Sequence, residues 1–150
     1  MNDTRFVYVT YIATTPERVF QALTEGAVTR QYWGHENVSD WKPGSPWKHQ
    51  AGDGSGAVRL IGEVVECTPP RRLVITWAFP KDQANRSKYT RVSFDIERIE
   101  QMVRLTVTHE ELEAGSEMDT GIREGWPRVL SSLKTFLETG KPLNTWAGKK

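Results

Sequence analysis

The stretch Glu124–Gly140, EGWPRVLSSLKTFLETG, decides the fold. Trp126, Val129, Leu130, Leu133, Phe136 and Leu137 recur at helical spacing, so they share one face. Ile122, one turn earlier, prolongs that face, and Arg128, Ser131, Lys134, Thr135 and Glu138 fill the other side. Gly140 followed by Pro142 is a stop signal. Pro127 has no N–H to donate and suits a first helical turn. The helix is therefore expected to begin near Glu124, or to meet a turn from Met118 at a bend. A long helix with one apolar face needs a cover. Most of the remaining chain reads as β, so that cover is expected to be a curved sheet.

Working outward, Arg5–Ala13 is β-branched and aromatic and reads as a first strand. Thr15 as N-cap, Pro16 at the first helical position and Glu17 then start a short helix, and a second is expected over Gly26–Tyr32. Residues 34–56 are the least regular, with one short strand expected near Trp47–Gln50. Ala57–Cys67 reads as a strand that Pro69-Pro70 ends, and Arg72–Phe79 as the next. In Tyr89–Ile99, Val92, Phe94 and Ile96 alternate with Arg91, Asp95 and Glu97. In Met102–Glu110, Val103, Leu105 and Val107 alternate with Arg104, Thr106 and Thr108. Strands joined by short loops pair antiparallel, and this alternation fits a sheet with one wet face.

The 150 residues carry 20 Lys+Arg against 19 Asp+Glu, a balance that argues against a nucleic-acid surface. Cys67 is the one cysteine, so an internal disulfide is excluded and a reducing compartment fits. The N-terminal MNDTRFVYVTYIA lacks the pattern of a signal peptide, and no apolar run is long enough for membrane insertion. A cytoplasmic protein of one domain, residues 1–150 with a core of about 6–143, is expected.

Five segments, YIATTPERVFQALTE, QYWG, GEVVECTPPRRLVITW, LTVTHEEL and EGWPRVLSSLKTFLETGKPL, occur in an order that resembles the activator of Hsp 90 ATPase homologue family. That family belongs to the START-like (SRPBCC, Bet v-like) helix-grip superfamily, with polyketide cyclases and lipid carriers. The resemblance implies an α+β fold of order β-α-α-β-β-β-β-β-α. Its curved antiparallel sheet wraps the C-terminal helix, with a cavity between them. In the eukaryotic co-chaperone a separate N-terminal domain contributes to chaperone activation, and this chain is too short to hold it.

Candidate cavity walls follow from the inward faces. The aromatic set is Trp33, Trp77, Phe79, Phe94 and Trp126; such walls bind apolar molecules without strict geometry. Ile75, Ile96, Leu105 and Val107 face inward from the strands, and Ile122 and Leu130 from the helix. All are equally readable as plain core. His109 continues the inward parity of its strand, where it would orient a ligand or act as a base; the alternatives are a backbone hydrogen bond or a place at the rim. Trp41 and Trp47 read as an exposed patch or, preferably, as packing over the sheet edge. His35, His49, His109 and Cys67 lack metal-ligand spacing, GDGSG at 52–56 reads as a turn, and no serine stands in an elbow motif. Neither a metal nor a cofactor is expected.

The expected function is non-catalytic binding of a small hydrophobic or amphipathic molecule, lipid- or polyketide-like. A chaperone ATPase activator or stress-response interaction protein comes second. A cyclase- or hydratase-type enzyme using His109 with Asp95 or Glu110 comes third, weakened because those carboxylates have outward parity.

Overall fold

The structure, a computed structural model, describes residues 4–143. Seven strands form one antiparallel sheet in the order β1-β7-β6-β5-β4-β3-β2. The strands are β1 (Phe6–Ile12), β2 (His35–Val38), β3 (Pro46–Ala51), β4 (Val58–Thr68), β5 (Arg72–Trp77), β6 (Thr90–Ile99) and β7 (Met102–Glu110). Helices α1 (Pro16–Thr24) and α2 (Gly26–Trp33) lie between β1 and β2, and α3 (Glu117–Thr139) closes the chain. This curled half-barrel around a C-terminal helix is the helix-grip α+β fold.

Three elements differ from the sequence expectation. The sheet has one more strand than the implied order, because the irregular stretch after α2 contains β2, which pairs with β3 from His35↔Ala51 to Val38↔Lys48. Polar residues hide the signal: only Asn37 of β2 is buried, and its side chain is satisfied internally. Strand β5 ends at Trp77 rather than Phe79, since Ala78 bridges to Ile61 and Phe79 leads into a turn.

The third difference concerns α3, which begins seven residues before Glu124 and carries Pro127 inside it. Its start is fixed by reciprocal capping. Ser116 Oγ accepts from the Asp119 backbone N–H at 3.1 Å, while Asp119 Oδ2 accepts from the Gly115 N–H at 2.9 Å. Glu117 and Asp119 in the first turn also suit the helix dipole. Packing of a long apolar stripe on the sheet outweighs the one hydrogen bond that Pro127 cannot make. At the far end, Gly140 takes a left-handed φ of 83° and its N–H reaches Phe136 O.

The core sits between the concave sheet face and α3. Register places Phe94 opposite Val107 and Ile96 opposite Leu105, with Leu73 and Ile75 on the next strand. Leu130, Leu133 and Leu137 of α3 are buried against this surface. Trp47 is also buried, its indole N–H donating to Thr76 O at 2.7 Å, and half-buried Trp41 donates to Thr24 O at 2.9 Å. Both pack rather than forming a patch.

Candidate functional site

Near the N-terminal half of α3 the helix and the sheet stand apart and leave a pocket of about 190 Å³. Strand alternation and helical spacing explain its walls. On β3, Trp47, His49 and Ala51 point inward with period two. On α3, residues 118, 121, 122, 125, 126 and 129 form the stripe that faces the sheet. Two members of that stripe are Gly121 and Gly125, and a Cβ at either would meet nothing within 4 Å. The pocket exists in part because those side chains are missing. Its mouth lies by Met118 and by Glu117, whose side chain is 73% exposed and which pairs with Lys81.

Five expected wall residues, Trp33, Trp77, Phe79, Ile122 and Trp126, line the pocket. Ile75, Phe94, Ile96, Leu105, Val107 and Leu130 do not. They are buried behind it, in the filled part of the core. Phe94, for example, packs edge-on against Trp126 with ring centres 5.8 Å apart. Parity identifies which residues face inward, but where the opposing surface touches them they fill space instead of bounding it. The sequence reading missed His49, Leu60, Glu117, Met118, Gly121 and Val129 as pocket residues. The small-residue pair Gly121/Gly125 one turn apart, and the inward parity of His49 after Trp47, were the available signals.

The walls form a continuous aromatic cluster. Trp126 lies 5.6 Å from Trp33 and 5.3 Å from Trp77, centre to centre, and Trp33 lies 4.5 Å from His49. Such tilted ring pairs each stabilise by about 0.5–1.5 kcal/mol beyond their burial.

His109 is placed otherwise than at a rim. It is fully buried, and both ring nitrogens are engaged. Trp126 Nε1–H can only donate, and it points at His109 Nδ1 at 3.1 Å, so Nδ1 carries the lone pair. Nε2–H then donates to Thr90 Oγ1 at 2.8 Å, and the Thr90 hydroxyl donates to Trp77 O at 2.8 Å. Burial holds the imidazole neutral, its pKa pushed down to about 3 although the Asp119 carboxylate pulls the other way. A second proton would also face the Trp126 N–H. His109 thus has no lone pair to offer a substrate and acts as a strut. Of the carboxylates considered with it, Asp95 pairs with Arg72 on the outer face, and Glu110 lies opposite Arg91 across the β6–β7 ladder. His109→Ala is expected to cost about 3–4 kcal/mol, from the cavity and the orphaned Trp126 N–H. A urea-unfolding midpoint unchanged from the parent would refute the strut role.

His49 has a different balance. It is 3% exposed, and its Nδ1 lies 2.7 Å from Asn37 Oδ1. The Asn37 amide is oriented because its Nδ2 donates to Leu23 O, so the oxygen faces His49 and Nδ1 is the protonated nitrogen. Nε2 therefore bears the lone pair. Burial first, and then the stacked His35 ring, push this pKa down to about 3.

A wider groove of about 810 Å³ runs outside the sheet past Lys48, Glu63, Arg86 and Tyr89. Charged side chains and the Arg86–Glu63 ion pair lie along it beside Val38, Pro46, Trp47 and Ile61, so it is a mixed surface groove without the aromatic enclosure of the first pocket. Among the described residues no group of three or more His, Cys, Asp or Glu is placed to hold a metal ion. No helix among them is long and apolar enough to cross a membrane.

Comparison with known proteins follows the same outline. The profile of the family described as "Activator of Hsp90 ATPase homolog 1-like protein" matches residues 13–138. A search of curated proteins finds no match. Among solved structures, the Aha1 dimer from Colwellia psychrerythraea is 24% identical, covers 91% of this chain and 98% of its own, and superposes with a TM-score of 0.73. CalU16 from Micromonospora echinospora is 19% identical over 91% of this chain and 77% of its own, with a TM-score of 0.69. DynU16, a protein in the dynemicin biosynthetic locus, is 20% identical over 94% of this chain and 49% of its own, with a TM-score of 0.74. At these identities the likeness is one of fold.

Proposed function

The chain belongs to the activator of Hsp90 ATPase homolog 1-like family, and on that footing we propose that it binds a small hydrophobic or amphipathic molecule, without catalysis, in the pocket between the sheet and α3. The observation that carries this reading is the pair Gly121 and Gly125. Each glycine inside a helix costs about 1 kcal/mol relative to alanine, and here open space awaits the missing methyl group. Gly125 is half-buried on the pocket wall and Gly121 is exposed beside it; a side chain at Gly125 would narrow the pocket, and its absence leaves that space open. The fold is also used by a protein of the dynemicin biosynthetic locus, a setting in keeping with a small-molecule role. The single half-buried Cys67, free of any disulfide, suits a cytoplasmic setting.

A cavity of about 190 Å³ is somewhat larger than the roughly 150 Å³ apolar cavity that takes up benzene. One or two fused rings would fill it, with Kd on the order of 10–100 μM from burial of about ten heavy atoms. The experiment is a two-dimensional NMR titration with a panel of such apolar molecules, following the tryptophan indole signals. Saturable shifts at Trp33, Trp77 and Trp126 are expected. Gly125→Leu, which places its side chain in the pocket, is expected to abolish them in a folded protein. Gly121→Ala/Gly125→Ala is expected to raise stability by about 1–2 kcal/mol while weakening binding. No shift with any panel member would end this reading.

A second reading, activation of a chaperone ATPase, rests on the family name and on one surface feature. Val7, Val9 and Tyr11 form an exposed apolar stripe on edge strand β1, suited to a protein partner. An ATPase assay with the host chaperone separates the two readings.

A further inference from the structure

The mouth of the pocket carries a charge that already holds an ammonium group. Among the described residues that line the pocket, Glu117 is the one charged side chain, and none is a lysine or arginine. Lys81, on the loop between β5 and β6, places Nζ 3.2 Å from Glu117 Oε1 and 5.4 Å from the centre of the Phe79 ring. Phe79 and Glu117 both line the pocket, so this cation is held by an aromatic and an acidic wall of its entrance. A ring face and a carboxylate are the two groups that recognise an ammonium ion. With its own side chain, the protein displays a seat for an organic cation at the end of an apolar pocket.

Lys81 is held there weakly. Its side chain is 67% exposed and that of Glu117 is 73% exposed, and an exposed pair of this kind contributes little to stability. When Lys81 swings into solvent it regains hydration and rotamer freedom, and Glu117 and the Phe79 face are open to a ligand. The surroundings favour a second cation in its place. A cleft of about 190 Å³ adjoins the pocket and shares Phe79, Glu117 and Met118 with it. Its charged residues are Asp82, Glu111, Glu113 and Glu117 against Lys81 and Lys88. Even with Arg91, which reaches Glu111 at 3.6 Å, the acids outnumber the bases. A cation at the mouth is attracted and an anion repelled. A carboxylate or phosphate also finds no cation on the pocket wall to offset its lost hydration.

We propose that the pocket takes a compact apolar amine in its protonated form. The apolar part fills the space between α3 and the sheet, and the ammonium group replaces that of Lys81 on Glu117 and Phe79. Fatty acids and other apolar anions are excluded. Lys81 is then a built-in competitor, released when the ligand binds. The ammonium seat rests on reading the pocket as a binding site and adds to it the charge of the ligand.

The test compares three molecules of nearly one shape and different charge on the full chain: 3-phenylpropylamine, 3-phenylpropan-1-ol and 3-phenylpropanoate. Affinities come from NMR titration at neutral pH, followed on the tryptophan indole signals. The amine is expected to bind about fivefold more tightly than the alcohol, the range of one exposed ion pair with one cation–π contact. The carboxylate is expected to be the weakest. Raising the salt to about 0.5 M is expected to shrink the advantage of the amine, because the seat faces solvent. Glu117→Gln removes the charge and is expected to bring the amine close to the alcohol. Lys81→Met keeps an apolar stem and removes the competing ammonium, and is expected to raise amine affinity about threefold, with a smaller change for the alcohol. Both residues are exposed, so neither variant threatens folding. Three results would overturn the ammonium seat and leave the pocket standing: equal binding of amine and alcohol, tightest binding by the carboxylate, or an amine affinity that neither variant moves. Failure of all three molecules to bind would remove the pocket and the seat together.

Discussion

Gly62→Ala is expected to leave little or no folded protein. Gly62 is buried on β4, and a Cβ built there would lie 2.0 Å from Thr76 O, 2.6 Å from Thr76 C and 2.4 Å from Trp47 Nε1. The backbone torsions at Gly62 need no glycine; the space does. Trp47 crosses at this point to place its indole N–H 2.7 Å from Thr76 O, while the Glu63 N–H reaches Thr76 Oγ1 at 2.8 Å. A methyl group would have to displace β5 from β4 and break both bonds. Overpacking commonly costs 1–3 kcal/mol, and the two bonds about 1 kcal/mol each, so a loss of roughly 4 kcal/mol or more is expected. That approaches the whole stability of a domain at the low end of the usual range of about 5–15 kcal/mol. Because the nearest atom belongs to the backbone, trimming Trp47 to Phe in the same chain should not restore folding. Soluble yield and the urea midpoint followed by tryptophan fluorescence give the answer. A midpoint within about 1 kcal/mol of the parent would show that the strands yield more easily than the contact distances imply.

Acid is expected to be nearly as damaging. His49 and His109 have folded-state values of about 3, against about 6.5 when unfolded. Between those values the unfolded chain binds protons that the folded chain does not, so stability rises with pH across this window and falls as pH is lowered through it. At pH 4.5 each histidine then costs about 2–3 kcal/mol, and the pair about 5 kcal/mol. Above pH 7 neither contributes any pH dependence. Asp119 and Glu138 act in the same direction at lower pH. Hydrogen bonds from Gly115 N–H and Arg123 hold the Asp119 carboxyl below its ordinary range, and Lys134 with the Ala13 N–H does so for Glu138. Unfolding midpoints at pH 7.5, 6, 5 and 4.5 should fall steeply below 6. His109→Gln should flatten that fall by about half while lowering stability at pH 7.5. Titration of either ring near pH 6 in the folded protein would contradict this account.

The same two histidines show how far sequence reading reaches. Parity along β7 points His109 inward, since Val103, Leu105 and Val107 precede it on that face. Nothing in the order of residues says that Trp126 and Thr90 meet its two nitrogens and convert a candidate base into a strut. His49 lacks metal-ligand spacing, so the sequence alone offers it no role. It proves to be the polar edge of the pocket, because Asn37, reached through an unforeseen strand, fixes its tautomer. Similarly, the sequence reading starts α3 from Pro127 and has no account of Ser116-x-x-Asp119, because the cost of a proline is local and the compensating burial is not.

The outline of the fold is legible in the sequence, though β2 and the start of α3 are not. The stripe from Trp126 to Leu137, the alternation in β6 and β7 and the stop at Gly140 are properties of residues near one another in the chain, and period alone sorts them onto faces. Only the tertiary structure decided which inward residues bound empty space. Ile75, Phe94, Ile96, Leu105, Val107 and Leu130 are as inward as Trp33, Trp77 and Trp126, yet only the second group reaches the pocket. The separation between sheet and helix at each point depends on sheet curvature and on Gly121 and Gly125 leaving no side chain on the pocket side of α3. Periodicity carries direction but no distance, and a cavity is a matter of distance.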